Sequence, residues 1–479
     1  MRPLSGSFCA FFRVGLTFLQ KAFNQKKCCR DQSQVMGGKT FLGAPRLSPP
    51  QKIAIGYLFI AIIGSLLLLL PWCRRVGVSF TDSFFTSVSA LCVTGLSTVN
   101  TAATWTPLGA VVIAVLMQIG GAGMTLITTS IYLVLGRKIS LSNRILIAED
   151  RNFGIRGSVR LMKSIFQFSF GIEGAAAVMF SLYFHYVYHY PWLRAIGISV
   201  FHSISAFNNA GFDLWGNSLE GFKNDPFVVL LTSFLIILGG LGFIVLVELT
   251  NYPKTRKLSL HTKIVLRMTG ILLVVGTVLI LMFESNHSMQ HLSWGSKVLN
   301  SWFASVTTRT AGFDSVPIGN MKEVTWFIMI ILMFIGASPG STGGGIKTTT
   351  FYTLIKAAWT NGRGDTEINV GERSISWEVS QRSLLIFFLA IGVIAGATLI
   401  DAALEPKIRL MRLIFEEVSA FGTVGLTTGI TGSVNDVVKW VLIVTMYIGR
   451  VGILTLLVGM LHKKGPSKVK YVQERIFVG

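Results

Sequence analysis

Charged residues are scarce in this chain, and acidic ones are the scarcest. Of 479 residues only 14% are charged, with 22 acidic against 43 basic. A soluble domain carries roughly 25% charged residues, so a soluble enzyme of the Rossmann or barrel type is excluded, as is a disordered chain. The five cysteines (Cys9, Cys28, Cys29, Cys73, Cys92) form no CxxC pair, which excludes a disulfide framework or a cysteine metal site. His202 and His287 have no companions at ligand spacing. No glycine-rich phosphate loop is present, and no polar stretch is long enough for a nucleotide-binding domain. A membrane enzyme would need a nucleophile, an acid–base pair or a metal cluster inside the apolar runs, and none is found there. Apolar residues, in contrast, are abundant, at 51% with mean hydropathy +0.60. They gather into about eight runs of roughly 20 residues, each long enough to cross a bilayer core. The expectation is an all-α polytopic membrane protein.

A net charge of +21 would suggest nucleic acid in a soluble protein, but its distribution says otherwise. Segments 1–52, 136–163, 250–267, 356–382 and 462–479 hold 30 of the 43 Lys and Arg. The alternate segments 73–105, 186–226, 284–323 and 403–439 hold 11, and Lys347 and Arg450 lie inside apolar stretches. By the positive-inside rule the first set and both termini are cytoplasmic. No aromatic interleaving or recognition helix accompanies the charge, so nucleic acid is not expected as a partner. Residues 1–50 contain a short apolar stretch, Phe8 to Leu19, broken by Arg13. It is too short to span and has no small-residue cleavage site, so this segment reads as a cytoplasmic extension.

From Pro49 onward one unit recurs four times: apolar span, short amphipathic stretch, glycine-containing tetrad, second apolar span. The units cover residues 51–140, 141–255, 256–365 and 366–479, with first spans near 53–72, 161–184, 262–283 and 382–402. The second spans lie near 106–135, 226–249, 324–358 and 437–461. Val93-Thr94-Gly95-Leu96, Asn209-Ala210-Gly211-Phe212, Thr310-Ala311-Gly312-Phe313 and Thr423-Val424-Gly425-Leu426 align without gaps. Their glycines are 116, 101 and 113 residues apart. A second register point follows in Gly120, Gly239, Gly336 and Gly449, at offsets of 25, 28, 24 and 24. Two register points in four copies mean internal fourfold duplication.

Short helices that cannot cross, followed by irregular glycine segments, place non-helical backbone at membrane depth. Such backbone survives only where it lines a water-filled path or is buried in protein. Four copies around one axis therefore make a pseudo-fourfold pore. Glycine lets successive carbonyls face the axis and replace the hydration shell of a cation. The negative ends of the four short helices aim at the same place. The expected filter is Val93, Thr94, Gly95, Asn209, Ala210, Gly211, Thr310, Ala311, Gly312, Thr423, Val424 and Gly425, with potassium on backbone oxygens and no other metal or cofactor. Gly120, Gly121 and Gly239 in the second spans read instead as close-packing glycines.

These tetrads resemble those of the Trk/Ktr/HKT superfamily of potassium transporters, over about residues 49–479, and most closely the membrane subunit of Ktr-type uptake systems. The two further N-terminal spans usual in Trk-type subunits have no counterpart in residues 1–50. The resemblance implies potassium uptake across the bacterial cytoplasmic membrane, with sodium as a coupling ion or activator, a homodimer packed through the tail Tyr471–Gly479, and a cytoplasmic ring of nucleotide-binding regulatory subunits. Plant relatives that carry sodium have serine at the first filter position, where this chain has Gly95. Cys92 departs from the hydroxyl residue common in relatives.

The third repeat is interrupted from Gly336 to Lys347, through Ser338, Pro339, Gly340, Ser341, Thr342, Gly343, Gly344 and Gly345. A proline and clustered glycines cannot continue a helix, and in relatives this segment is an intramembrane gating loop. Arg450 replaces a glycine of the second register. A charge at that depth faces a cavity or a buried partner, so it is expected to repel cations below the filter as part of the gate, or to pair with Glu173. On the charge reading, lysine at 450 would retain the block. Asp82, Asp213, Asp314, Glu416 and Glu417 flank the short helices, either concentrating cations at the outer mouth or as solvated charges. The alternatives to potassium are sodium or another monovalent cation in the same fold, and a secondary solute transporter built on broken helices.

Overall fold

A computed structural model describes residues 49–123 and 158–460. The basic segment 136–157, the N-terminal extension, Cys9, Cys28, Cys29 and the tail Tyr471–Gly479 lie outside them.

The first repeat consists of α1 (Pro49–Leu68), α2 (Phe80–Cys92) and α3 (Pro107–Ala122). Local sequence sets these limits. Ser79 caps α2 by accepting from the Asp82 N–H, and Thr106 caps α3 from outside a proline in its first turn, where a missing N–H costs nothing. The second repeat holds α4 (Ser158–Tyr186), α5 (Trp192–Phe207), α6 (Pro226–Leu241) and α7 (Phe243–Thr255). The third holds α8 (Leu260–Glu284), α9 (Trp294–Thr307), α10 (Glu323–Phe334) and α11 (Thr348–Gly362). A small antiparallel hairpin follows, β1 (Ile368–Val370) with β2 (Arg373–Ile375), Ile368 opposite Ile375. The fourth repeat is α12 (Trp377–Leu404), α13 (Leu410–Gly422), α14 (Asp436–Val451) and α15 (Ile453–Met460).

Four helices, within α1, α4, α8 and α12, are long and apolar enough to cross a membrane. They turn large apolar side chains outward, among them Phe59, Val178, Val278 and Phe388, as lipid-facing helices do. Small polar groups join each span to its short helix. Ser87 donates to the Ala61 carbonyl (2.7 Å), Ser203 to that of Glu173 (2.6 Å) and Ser305 to that of Leu273 (2.9 Å). Gly64 makes room for the first of these; a Cβ there would lie 2.5 Å from Ser87 Oγ. Three apolar clusters fill the junctions between repeats one and four, two and three, and three and four.

The second spans differ from the expectation of continuous helices. The expected interruption was confined to the third repeat, but the second spans of repeats two and four are also interrupted, and α3 ends in the same way. α3 stops at Gly123 (φ +81°), α6 at Gly242 (φ +94°) and α14 at Gly452 (φ +90°), and α6 and α7 are bent by 101°. These glycines stand three residues after the second register glycine, and Pro339 holds that place in the third repeat. A positive φ closes the α-helical ladder to any L side chain. The freed carbonyls are reused: Gly240 accepts from the Ser338 N–H (3.1 Å) and Gly239 from that of Thr342 (3.2 Å), satisfying backbone that has no water to turn to.

Candidate functional site: a fourfold backbone ring and the loop beneath it

Each short helix ends by handing its chain to the same irregular conformation. Val93, Asn209, Thr310 and Thr423 take positive φ (58°, 60°, 72° and 49°), and Gly95, Gly211, Gly312 and Gly425 do so two residues later (94°, 69°, 75° and 94°). Left-handed residues thus stand on either side of Thr94, Ala210, Ala311 and Val424 in all four copies. A non-glycine residue in that region costs about 1 kcal/mol or more, and a bond back to the helix offsets it. Thr94 N–H donates to Ser89 O, Ala210 to Ser205, Ala311 to Thr307 and Val424 to Ser419, at 2.7 to 3.0 Å.

The four segments meet in cyclic order. A Cβ on Gly95 would lie 2.6 Å from Ala210 O, one on Gly211 2.9 Å from Ala311 O, and one on Gly312 2.5 Å from Val424 O. A Cβ on Gly425 would overlap Thr94 O and close the circle. The ring is held from behind by the second-span glycines. A side chain at Gly120 would strike Leu91 O, one at Gly239 Phe207 O, and one at Gly449 Phe421 O. These are close-packing glycines at the ends of the short helices.

Directly against the ring lies the interruption of the third repeat. Gly343 approaches Thr310 so closely that a Cβ would overlap its Oγ1, and the Gly344 N–H donates to Thr423 Oγ1 (3.0 Å). Ser338 and Thr342 bond to the second repeat as described, and the Phe243 N–H returns a bond to Gly340 O (3.1 Å). Arg450 completes the set, its two terminal nitrogens donating to Thr342 O in the loop and to Gly120 O in the first repeat. The segment 336–347 therefore touches repeats two, three and four, and through Arg450 is tied to repeat one. Lys347 Nζ donates to Gly343 O (2.8 Å) and Gly344 O (3.2 Å), folding over the loop it ends.

Two expectations change. Glu173 is no partner of Arg450; its carboxylate accepts from Gln118 (3.2 Å) and Asn208 (3.0 Å). Glu416 and Glu417 are buried, not solvated at the outer mouth. Glu416 accepts from Thr427 Oγ1 (2.5 Å), Thr428 N–H (3.0 Å) and Thr431 Oγ1 (2.8 Å), bracing the chain just beyond Gly425. Asp82 is paired with Lys439 at 3.0 Å, and Asp213 accepts from the Trp215 N–H (2.8 Å). Cys92 is enclosed in the apolar cluster of repeats one and four. His202 is wholly buried among Phe180, Trp215 and Phe313. No group of three or more metal-ligating side chains occurs among the described residues.

A profile of the TrkH family, described as cation transport protein, matches residues 58–469. The chain belongs to this family. Ktr system potassium uptake protein B of Bacillus subtilis is 39% identical, the match covering 91% of this chain and 97% of that one. Potassium/sodium uptake protein NtpJ of Enterococcus hirae is 38% identical over 91% of this chain and 98% of its own. Among solved structures, the potassium transporter TrkH from Vibrio parahaemolyticus superposes with a TM-score of 0.68 at 22% identity, covering 88% of this chain and 87% of that one. This family member is accordingly an all-α polytopic membrane transport protein.

Proposed function

We propose that this chain takes up potassium across a bacterial cytoplasmic membrane through the ring formed by residues 93–95, 209–211, 310–312 and 423–425. The observation that supports the reading is the fourfold recurrence of positive φ on both sides of the ring's middle residue, a backbone form in which carbonyl oxygens facing one axis would replace a cation's hydration shell. The helix ends before the ring add negative potential. The relatives named for potassium uptake support potassium as the ion, and the relative named for potassium and sodium supports sodium as the second ion of the same ring.

In this reading the segment 336–347 is the gate. It lies against Thr310 and Thr423, and Arg450 and Lys347 hold its carbonyls, so its release opens the path. A cytoplasmic nucleotide-binding ring is the proposed effector, and the end of α11 with the hairpin 368–375 is the surface offered to it. Homodimerisation and cytoplasmic termini belong to the same proposal. The test is potassium-limited growth of an uptake-deficient bacterium, followed by ion flux in liposomes holding the purified protein. Potassium-selective flux supports the reading. Saturable counterflow of an organic solute without cation flux refutes it.

A further inference from the structure

Two carboxyl groups meet in the protein interior away from the ring and the gate. Asp401 on α12 lies against Glu417 on α13. Glu417 is fully buried and Asp401 is 1% exposed. Their place in the repeat gives the contact its meaning. Ser87 and Ser203, eight residues before their ring glycines, and Ser305, seven before, donate a hydroxyl proton to a first-span carbonyl. Glu417, eight residues before Gly425, holds the corresponding place in the fourth repeat. An ionised carboxylate there has no proton to donate.

Other buried acids in this protein collect donors. Glu416 has the three described and Thr428 Oγ1 (3.4 Å), and Glu284 accepts from the Lys322 N–H (2.9 Å), Thr325 Oγ1 (2.5 Å) and the Ser288 N–H (3.3 Å). Neither Glu417 oxygen, nor Asp401 Oδ1, meets a donor. The Thr445 hydroxyl on α14 stands beside Glu417 without completing a bond. Glu416 stands beside Glu417 as a further acidic neighbour, and the nearest charged groups on the surrounding helices have other contacts. Lys439 on α14 binds Asp82 and Asp436, and Arg450 binds two carbonyls. Glu323 on α10 pairs with Arg409, and Arg412 on α13 lies over the Trp326 ring. Two acceptor-only anions in contact, with no cation between them, are excluded from a low-dielectric interior.

We propose that Asp401 and Glu417 form a proton-binding site that holds a single proton between them. The protonated member donates to the ionised one in a charge-assisted O–H···O bond, stronger than a neutral pair would make. The proton thus supplies what the serine hydroxyl supplies in the other three repeats: a tie between the short helix and its first span. It makes that tie titratable in one quarter of the molecule.

The experiment counts protonated carboxyls by infrared spectroscopy of the full chain in lipid, comparing the parent with Asp401→Asn, Glu417→Gln and the double variant. Each amide keeps the size of the group it replaces and offers an N–H to the remaining carboxylate, and melting temperatures are read alongside to establish folding. The expected result is loss of one carboxylic C=O band in each single variant and of the same one band, no more, in the double. No loss in any variant means that both groups are ionised and overturns the proposal. Loss of twice the intensity in the double variant means two independent neutral acids and also overturns it.

Discussion

Replacing Arg450 tests how the loop 336–347 is held. The guanidinium places one N–H on Thr342 O and another on Gly120 O, so it fastens the loop to the far side of the molecule. A hydrogen bond to a charged group contributes about 1.5–3 kcal/mol. Removing both with Arg450→Ala costs the closed arrangement about 3–6 kcal/mol. At about 1.4 kcal/mol per tenfold, the open-to-closed ratio rises roughly 100- to 10,000-fold, up to a fully open pore. An ammonium is a point donor without the planar fork, so Arg450→Lys keeps one of the two bonds and shifts the ratio roughly 10- to 100-fold. Charge alone, as read from the sequence, gives a different pattern, in which lysine blocks as well as arginine. The assay is potassium flux into proteoliposomes without any regulatory partner, normalised to monodisperse protein. If lysine matches the parent, the two-carbonyl clamp is refuted. If the alanine variant is well folded yet no more active, the loop does not obstruct the path.

Other changes separate the remaining parts. Gly95→Ser puts a Cβ 2.6 Å from Ala210 O at a φ of +94°, displacing a ring oxygen; the potassium-over-sodium flux ratio falls, and an unchanged ratio removes Gly95 from the filter. Deleting Ser338–Gly344 yields potassium leak without a partner, and flux that stays tightly partner-dependent contradicts the gate. Gly239→Ala drives a methyl into Phe207 O, whereas Gly171→Ala meets nothing within 4 Å. The first therefore lowers the melting temperature and the second does not. Glu416→Ala leaves Thr427, Thr428 and Thr431 without their shared acceptor, destabilising by about 1–3 kcal/mol, read as a lower denaturation midpoint.

The element order was legible because it is periodic. Four glycine tetrads and four second-register glycines repeat at nearly equal spacing, and the four long helices announce themselves by apolar length. The breaks after Ala122, Leu241 and Val451 were missed, although the chain carries their mark: Gly123, Gly242 and Gly452 each follow a register glycine by three residues. A glycine inside an apolar run reads as a packing residue until the carbonyls it frees find their donors, and those donors lie in other repeats. The burial of Glu416 and Glu417 was illegible for a related reason. Acidic residues near a helix read as solvated ends, and only the folded threonine loop after Gly425 supplies what Glu416 needs. Arg450 stood out as a buried charge, but its partners are backbone atoms, which carry no sequence signature.

Because the four quarters of the ring belong to one polypeptide, each can change without the others. In an assembly of identical subunits, a substitution that turned a broken span into a movable plug would appear four times and crowd the axis. Here the third quarter alone carries Pro339 and its glycines, and the fourth alone carries Arg450 and the acid pair. The others keep plain glycine hinges and serine ties. Duplication followed by divergence has produced a division of labour: a backbone ring that every quarter helps to build, and an asymmetric tie against it whose loop and arginine come from different quarters. Variants can accordingly be introduced at one quarter of the ring at a time, and their effects on ion choice read in single steps.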